Sequence, residues 1–273
     1  MKKKGIALVE RQYLFPFVLI TSLFFLWGFA HAILDVLNKH FQELLTITRT
    51  HSAMIQATMY MGYFIMAIPA GLFINRHGYR KGVVLGLLLY GIGSLLFIPG
   101  QYIASFNMFL FSLFVIGCGL TFLETAANPY VTELGARETA ASRLNFAQSF
   151  NGLGCIFAPI LTGLLLFSDE DKGASGNVAL PYAVMGVIVL LAALAFMRVR
   201  LPEIPHEEEV DSEGHRVGLW AHKLFVFGLV ALFAYEVSEI SINSFFINYV
   251  TEVGWMNAAM LRWYFRSVDW GCS

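Results

Sequence analysis

A helix that crosses a bilayer needs about 20 mostly apolar residues, and this chain contains seven runs of roughly that length or longer. The runs cover approximately residues 13–38, 52–75, 82–99, 105–132, 143–168, 177–199 and 222–250. Hydrophobic residues make up 57% of the chain and charged residues only 14%, against about 25% charged residues in a soluble globular protein. The sequence therefore predicts an all-α polytopic membrane protein.

The joints between these runs divide the chain into two blocks of unequal size. Most joints are short and carry turn residues, such as PGQY after the third run, but residues 201–217 form a long acidic stretch with two prolines. Many transporters consist of six-helix halves, each built from inverted three-helix repeats. We therefore predict a six-helix transmembrane half at 1–200, a linker at 201–217, and the start of a second half at 218–273 with one helix and a non-spanning tail. This asymmetry predicts a fragment or the product of a truncated reading frame.

The distribution of positive charge predicts the orientation. Lys and Arg concentrate on the side that includes the N-terminus and the 201–217 linker, whereas the outer loops between runs hold only Lys39, Arg49 and Lys172. Cytoplasmic loops carry such an excess, so the N-terminus and the linker are predicted to be cytoplasmic. A net charge of −1 argues against a nucleic-acid partner, and the three scattered cysteines form no disulfide or metal-binding pattern. Cys118 and Cys155 are expected to be small buried residues.

Four of the apolar runs carry polar side chains at helical spacing. Residues three or four positions apart share one side of a helix. The sets are His31, Asp35 and Asn38 in the first run, Glu124 and Asn128 in the fourth, Asn145, Gln148 and Asn151 in the fifth, and Glu236, Glu239 and Asn243 in the seventh. Polar residues inside a membrane are costly and face a protein interior or a hydrated cavity. The stripes therefore predict a shared polar cavity between these helices.

The residue types in the stripes suit a proton-coupled sugar site. Asn and Gln amides both donate and accept hydrogen bonds, which matches sugar hydroxyls, and the rings of Trp27, Phe29, Tyr60 and Tyr63 are available for its C–H face. Burial favours the neutral form of a carboxylic acid, so Asp35 and Glu124 could take up and release protons as the cavity changes access. A purely structural role for either acid stays open, and His31 is expected to be accessory or interfacial.

Two glycine-containing segments carry weaker signals. The loop GLFINRHGYRK at 71–81 resembles the major facilitator signature for a gating loop, which Gly71, Arg76, Gly78, Arg80 and Lys81 match. Asn75 stands where that signature has an acidic residue. The segment GIGS at 91–94 is best explained by close helix packing.

Four segments together resemble the fucose:proton symporter family of the major facilitator superfamily, over about residues 14–250. They are FLWGFAHAILDVLNKHFQ, the 71–81 loop, LETAANPYV and RLNFAQSFNGLG. The resemblance implies twelve helices in two halves, functional carboxylates at Asp35 and Glu124, and sugar-contacting amides at Gln148 and Asn151. Around Asp35 the chain reads AHAILD where the fucose branch has an Asn-rich segment, and EVSEISINSFFINYV is closer to the glucose/galactose branch, which implies a further contact from Glu239. Asn128, His31 and Asn145 complete the candidate substrate-binding set.

The expected function is uptake of a monosaccharide (fucose, or glucose and galactose) with a proton by alternating access across the bacterial inner membrane. We expect no enzymatic activity, cofactor or metal, and a monomer when full length. An uncoupled sugar facilitator and a non-functional truncated product are the alternatives. A membrane sugar sensor would be expected to carry a soluble signalling domain, and an intramembrane enzyme would need a nucleophile with a base partner; the sequence shows neither feature.

Overall fold

The computed structural model describes residues 8–44, 49–103, 105–167, 179–199 and 222–252, and these residues form helices joined by turns. The chain divides into two units, residues 1–206 and 207–273, and the boundary falls inside the predicted linker. The α-helices of the first unit are α1 (Leu14–Leu44), α2 (Arg49–His77), α3 (Tyr79–Leu95), α4 (Phe97–Ile103), α5 (Phe106–Glu133), α6 (Ala140–Phe167) and α7 (Ala179–Arg198). In the second unit the structure describes α8 (Lys223–Glu252).

Each of the seven predicted apolar runs forms helix, and the described residues confirm five as long and apolar enough to cross a membrane. Those segments are Arg11–Ile33, Ala53–His77, Tyr79–Ile103, Phe106–Glu133 and Ala179–Arg198. They correspond to the first four predicted spans and the sixth. The fifth and seventh, which form α6 and α8, stay predictions as spans because parts of both helices lie outside the residues whose side chains are described.

The third predicted span is divided into two helices, which the sequence reading missed. α3 ends at Leu95 and α4 begins at Phe97. Pro99 lies in α4, and a proline ring within a helix clashes with the carbonyl of the residue four positions earlier, here Leu95. The proline therefore accounts for the break.

α5 lies at the centre of the first unit. It packs against α2 and α3 along much of its length and also contacts α1 and α6, while α1 pairs with α6 and α3 with α7. Its buried side chains run from Phe109 to Val131. Large apolar side chains such as Phe64 and Ile68 of α2 are exposed instead, at 84% and 74% of their surface. An outer apolar face is what a lipid environment requires.

Cys118 of α5 is buried as predicted, but Cys155 of α6 is exposed, so that expectation was wrong for Cys155.

Glycines allow the helix backbones to approach closely where α1 crosses α6. A Cβ atom added to Gly28 would collide with the carbonyl of Asn151, three residues before Gly154. A Cβ added to Gly154 would collide with the carbonyl of Phe25, three residues before Gly28. Small residues at such crossings are typical of membrane helix pairs.

The crossing of α2 and α5 repeats this arrangement. A Cβ on Gly62 would lie 2.7 Å from the carbonyl oxygen of Phe114, three residues before Gly117, and one on Gly117 would collide with the carbonyl of Met59, three residues before Gly62. The same geometry at two crossings is what an inverted repeat produces when α1 and α2 exchange places with α5 and α6.

The GIGS segment has the packing role that the sequence indicated. A Cβ on Gly93 would lie 2.9 Å from the backbone nitrogen of Ile116 on α5. A Cβ on Gly91 would lie 2.6 Å from the side chain of Leu190 on α7. The segment therefore lets α3 pack closely against both neighbours.

Two glycines of α6 provide a matched test of close packing. We expect Gly154→Ala to destabilise the fold by about 1–3 kcal/mol, because its methyl group meets the backbone of α1. Gly152→Ala should be neutral, or stabilising by up to about 1 kcal/mol through helix propensity, because nothing lies within 4 Å of its added Cβ. Thermal unfolding in detergent, followed by circular dichroism, compares the two variants. Equal midpoints would contradict the crossing geometry.

Candidate functional site

Three side chains from α1 and α2 form a half-buried, hydrogen-bonded group. The indole Nε1 of Trp27 donates to the hydroxyl oxygen of Tyr63 over 3.0 Å. The same hydroxyl lies 3.5 Å from Nε2 of His31, at the long end for a hydrogen bond. All three side chains are half-buried. The group connects two helices. The sequence predicted a polar stripe on α1, whereas on α2 it predicted only aromatic residues for the site.

The backbone determines the tautomer of His31. Its Nδ1 lies 3.1 Å from the carbonyl oxygen of Trp27, one turn earlier in α1. A carbonyl can only accept, so Nδ1 carries the hydrogen and Nε2 of the neutral ring is an acceptor. Tyr63 is therefore the donor in the contact with Nε2.

Aromatic rings surround this group. The Trp27 and His31 rings meet edge to face at 78°, with centroids 5.8 Å apart. Tyr60, one turn before Tyr63, lies 6.4 Å from the His31 ring and 6.0 Å from the Tyr63 ring. Such a set combines apolar ring faces with donors and acceptors at their edges. Of the four predicted aromatics, Trp27, Tyr60 and Tyr63 come together here, whereas Phe29 contacts Phe25 on the same helix.

Glu124 of α5 lies close enough to interact electrostatically with the Tyr63 hydroxyl. It is half-buried and one turn before Asn128. The Asn128 side-chain oxygen accepts from Nε2 of Gln148 on α6 over 3.5 Å. The structure thus brings Asn128 of α5 together with Gln148 of α6, and Glu124 lies one turn away from Asn128 on α5.

The remaining predicted side chains have different surroundings. Asn151 is half-buried at the α1–α6 crossing, while Asn145, earlier on α6, is exposed. Asp35 lies in α1, but its side chain is outside the described residues, as are those of Asn38 and Asn243. On α8, Glu239 is exposed and hydrogen-bonds Tyr235, and Glu236 is exposed as well. Among the described residues, no three His, Cys, Asp or Glu side chains are grouped as metal ligands would be.

The predicted gating loop is a tight turn between α2 and α3. Gly78 has φ +85°, a left-handed conformation that side chains other than glycine's rarely tolerate. Arg80 follows at the start of α3, and its Nε donates to the carbonyl of Phe196 over 3.2 Å while Nη2 donates to that of Met197. These carbonyls end α7. Arg76 and Lys81 are exposed, and Gly71 lies inside α2 with open space beside it.

Arg143 was not among the residues to which the sequence assigned a role. Arg143 is completely buried, and its Nε donates to the carbonyl of Val131 over 3.0 Å. Nη2 donates to the backbone carbonyl of Thr132 over 2.5 Å, and Nη1 donates to that of Ala136 over 3.1 Å. An arginine is known to satisfy the last carbonyls of a helix in this way, and here it ends α5, the helix that carries Glu124.

The same guanidinium also holds the N-terminal segment. Nη1 lies 2.6 Å from Oγ1 of Thr139 and 3.3 Å from the carbonyl of Leu8. Gly135 has φ +141°, and a Cβ there would lie 3.0 Å from Nη1, so the turn between α5 and α6 leaves room for the guanidinium only with glycine. The sequence signals for this arrangement are a glycine in a polar joint and an arginine at the start of an apolar run.

The fold and the side chains define a class: a helical membrane protein of inverted three-helix repeats with polar and aromatic side chains gathered between its helices. Residues 17–265 match the family model described as Major Facilitator Superfamily. The chain belongs to the major facilitator superfamily.

Its curated relatives include sugar transporters. It is 35% identical over 247 residues to the glucose/galactose transporter of Brucella abortus, a match that covers 89% of this chain and 60% of the relative. It is 34% identical over 267 residues to the L-fucose-proton symporter of Escherichia coli, covering 89% of this chain and 61% of the relative. The chain thus spans about 60% of the length of these relatives.

Solved structures agree with this assignment. A major facilitator transporter, FucP, in the outward conformation matches with a TM-score of 0.61 and 37% identity, over 76% of this chain and 53% of that one. A proton:xylose symporter at 17% identity has a TM-score of 0.60, which supports the fold alone.

Proposed function

We propose that this chain supplies the first half of a transporter that takes up a monosaccharide together with a proton. The observation that carries the proposal is the Trp27–Tyr63–His31 group beside Glu124. Relatives named as a glucose/galactose transporter and an L-fucose-proton symporter support both the sugar and the proton.

The side chains near this group suit a sugar. A monosaccharide has apolar C–H faces and hydroxyls that both donate and accept. Trp27 and Tyr60 provide ring faces, and the amides of Asn128 and Gln148 provide paired donors and acceptors. Asn151 and His31 extend the set along α6 and α1. Substrate sites commonly combine such apolar walls with a few placed polar groups.

The carboxylates supply the coupling. In our proposal Glu124 and Asp35 take up protons when the cavity opens outwards and release them when it opens inwards, because changes in water access shift the balance between charged and neutral forms. The sugar and the proton then cross in one alternating-access cycle, in which one half rocks against the other. Glu239 on α8 is proposed as a contact from the second half.

Gln148 provides the test of sugar binding. The assay uses a two-half transporter, made by joining this chain through its predicted linker to the second half of the Brucella relative, in cells without hexose and fucose uptake. We expect Gln148→Ala to weaken the apparent affinity for the transported sugar by about 1–3 kcal/mol, because sugar hydroxyls lose a buried partner. Asn107→Ala is the matched control, since Asn107 is an exposed amide in the first turn of α5.

Uptake of radiolabelled glucose, galactose and fucose identifies the transported sugar and measures how each substitution changes its apparent affinity. Stimulation by external acid separates the proton-coupled transporter from an uncoupled facilitator. Equal effects of the two substitutions would reject the proposed sugar site.

The proposed location is the bacterial inner membrane, with the N-terminus and the 201–217 linker in the cytoplasm. The positive charge of the exposed Arg76 and Lys81 in the gating loop supports a cytoplasmic position for that loop as well. We expect a membrane-impermeant thiol reagent applied from outside to label a cysteine introduced at Ser175 but not one at Ser212. Labelling of Ser212 alone would reverse the orientation. A monomer is proposed for the two-half protein.

A further inference from the structure

We propose that Tyr63 is a positioning residue for sugar binding, which holds the indole ring of Trp27 in the orientation in which a sugar meets it. The sequence suggested only the ring of Tyr63 for the site, whereas the structure shows its hydroxyl bonded to a side chain of the neighbouring helix. The role in sugar binding rests on the proposed function. The contact between Tyr63 and Trp27 stands on its geometry alone.

Three polar contacts form a closed circuit between α1 and α2. The indole Nε1 of Trp27, which can only donate, lies 3.0 Å from the hydroxyl oxygen of Tyr63. That hydroxyl lies 3.5 Å from Nε2 of His31, and Nδ1 of His31 lies 3.1 Å from the backbone carbonyl oxygen of Trp27. Because this carbonyl can only accept, the neutral His31 ring accepts from Tyr63 at Nε2. Tyr63 thus accepts on one side and donates on the other, and the circuit returns to Trp27.

The bond from Tyr63 gives the Trp27 ring an orientation that its own helix does not fix. The second side-chain torsion of tryptophan has a broad energy profile. Within α1 the ring makes edge-to-face contacts with Phe24 and His31, at 6.1 and 5.8 Å between centroids. Tyr63 instead belongs to α2, and a hydrogen bond to its oxygen is directional. The indole N–H therefore points at an acceptor held by another helix.

This bond also connects two pairs of helices. α1 packs chiefly against α6, and α2 packs chiefly against α5. The Trp27 indole is half-buried, so part of the ring stays accessible. A ring that is already oriented binds a sugar with less loss of side-chain freedom. We therefore expect the Tyr63 hydroxyl to raise the affinity for sugar through Trp27, without a contact of its own to the sugar.

Nuclear magnetic resonance of the Trp27 indole N–H tests the contact in the purified chain. The other tryptophans are replaced by phenylalanine, so that one indole signal remains. We expect Tyr63→Phe to move the indole proton signal to lower chemical shift, because a hydrogen bond deshields the proton it uses. Tyr90→Phe is the matched control and should leave the signal in place, since the Tyr90 hydroxyl is buried without a hydrogen-bond partner among the described residues. The replaced residues are Trp220, Trp255, Trp263 and Trp270.

Hydrogen exchange in the parent provides a measurement that needs no substitution of Tyr63. We expect the Trp27 indole proton to exchange with solvent about tenfold or more slowly than that of free indole, because the bond must open before exchange occurs. Exchange as fast as in free indole, or an unchanged signal in folded Tyr63→Phe, would overturn the contact. Circular dichroism verifies that each variant folds.

A second experiment tests the positioning role by equilibrium binding of the transported sugar to the two-half transporter. We expect Tyr63→Phe to weaken binding about three- to tenfold. The double variant Trp27→Phe with Tyr63→Phe should bind no more weakly than Trp27→Phe alone, since residues that act through one another do not have additive effects. Tyr90→Phe should bind as the parent does. A purely structural role of Tyr63 would not make its effect depend on Trp27.

Two binding results would reject the positioning role. Unchanged affinity in Tyr63→Phe would show that the orientation of Trp27 does not matter for the sugar. Additive losses in the double variant would show that Tyr63 acts on the sugar independently of Trp27. Absence of sugar binding in the parent would reject the proposed function and with it the role in sugar binding, while the indole signal still decides the contact.

Discussion

Replacing Glu124 by glutamine is expected to abolish acid-driven accumulation of sugar in the two-half transporter while sugar binding persists. Glutamine keeps the size and hydrogen-bonding capacity of the side chain but cannot bind and release a proton. One pH unit is worth about 1.4 kcal/mol, so one coupled proton supports about tenfold accumulation per pH unit. The variant should instead equalise the concentrations of sugar on the two sides.

The measurement compares uptake by proteoliposomes with and without an inward proton gradient, using radiolabelled sugar. Glu133→Gln is the matched control, because Glu133 is an exposed carboxylate at the end of the same helix, α5. Its accumulation should equal that of the parent. Concentrative uptake by Glu124→Gln in acid would assign proton coupling to another group, with Asp35 the next candidate, and Asp35→Asn would then be tested in the same assay.

The second large effect is expected at Arg143. Arg143→Met should lower the free energy of unfolding by about 3 kcal/mol or more, because buried carbonyls such as those of Val131 and Thr132 lose their donors at about 1–3 kcal/mol each. For a chain of this size that corresponds to a fall of roughly 10 °C in the unfolding midpoint. Methionine preserves most of the side-chain length, so lost packing contributes little.

Arg143→Lys separates geometry from charge. A lysine ammonium is a single point donor and cannot reproduce the planar fork that reaches the carbonyls and Thr139 at once. We expect most of the destabilisation to remain in this variant. Arg11→Met, at an exposed arginine near the N-terminus, should unfold as the parent does. Thermal unfolding in detergent measures all three, and a stable Arg143→Lys would show that charge alone accounts for the effect.

Arg143 also affects the candidate site through the backbone. It holds the end of α5, the helix on which Glu124 and Asn128 lie, and it ties that end to the start of α6, the helix of Gln148. Arg80 holds the end of α7 to the start of α3 in a similar manner. Both arginines replace missing helical partners of terminal carbonyls, so the predicted gating loop also has a direct role in packing.

Part of the candidate site could be read from spacing along the chain. The intervals between Glu124 and Asn128, and between Gln148 and Asn151, place each pair on one side of a helix whatever the helix packs against. Helices of this length are required by the apolar runs. Four segments, LETAANPYV and RLNFAQSFNGLG among them, together indicated the superfamily to which the chain belongs. Asn145 has the same periodicity yet is exposed, because spacing defines a side of a helix without defining its neighbour.

The sequence by itself determined the helices, their polar sides and the superfamily, because these depend on local composition and helical period. Only the tertiary structure showed that Tyr63 joins Trp27 and His31, that Asn128 pairs with Gln148, and that Arg143 is buried at the end of α5. These contacts depend on which helix lies opposite which and at what depth. Close backbone approach at glycines such as Gly28 and Gly117 determines both the pairing of the helices and the depth at which they cross. A single added methyl group there would collide with a carbonyl of the neighbouring helix and force the two helices apart.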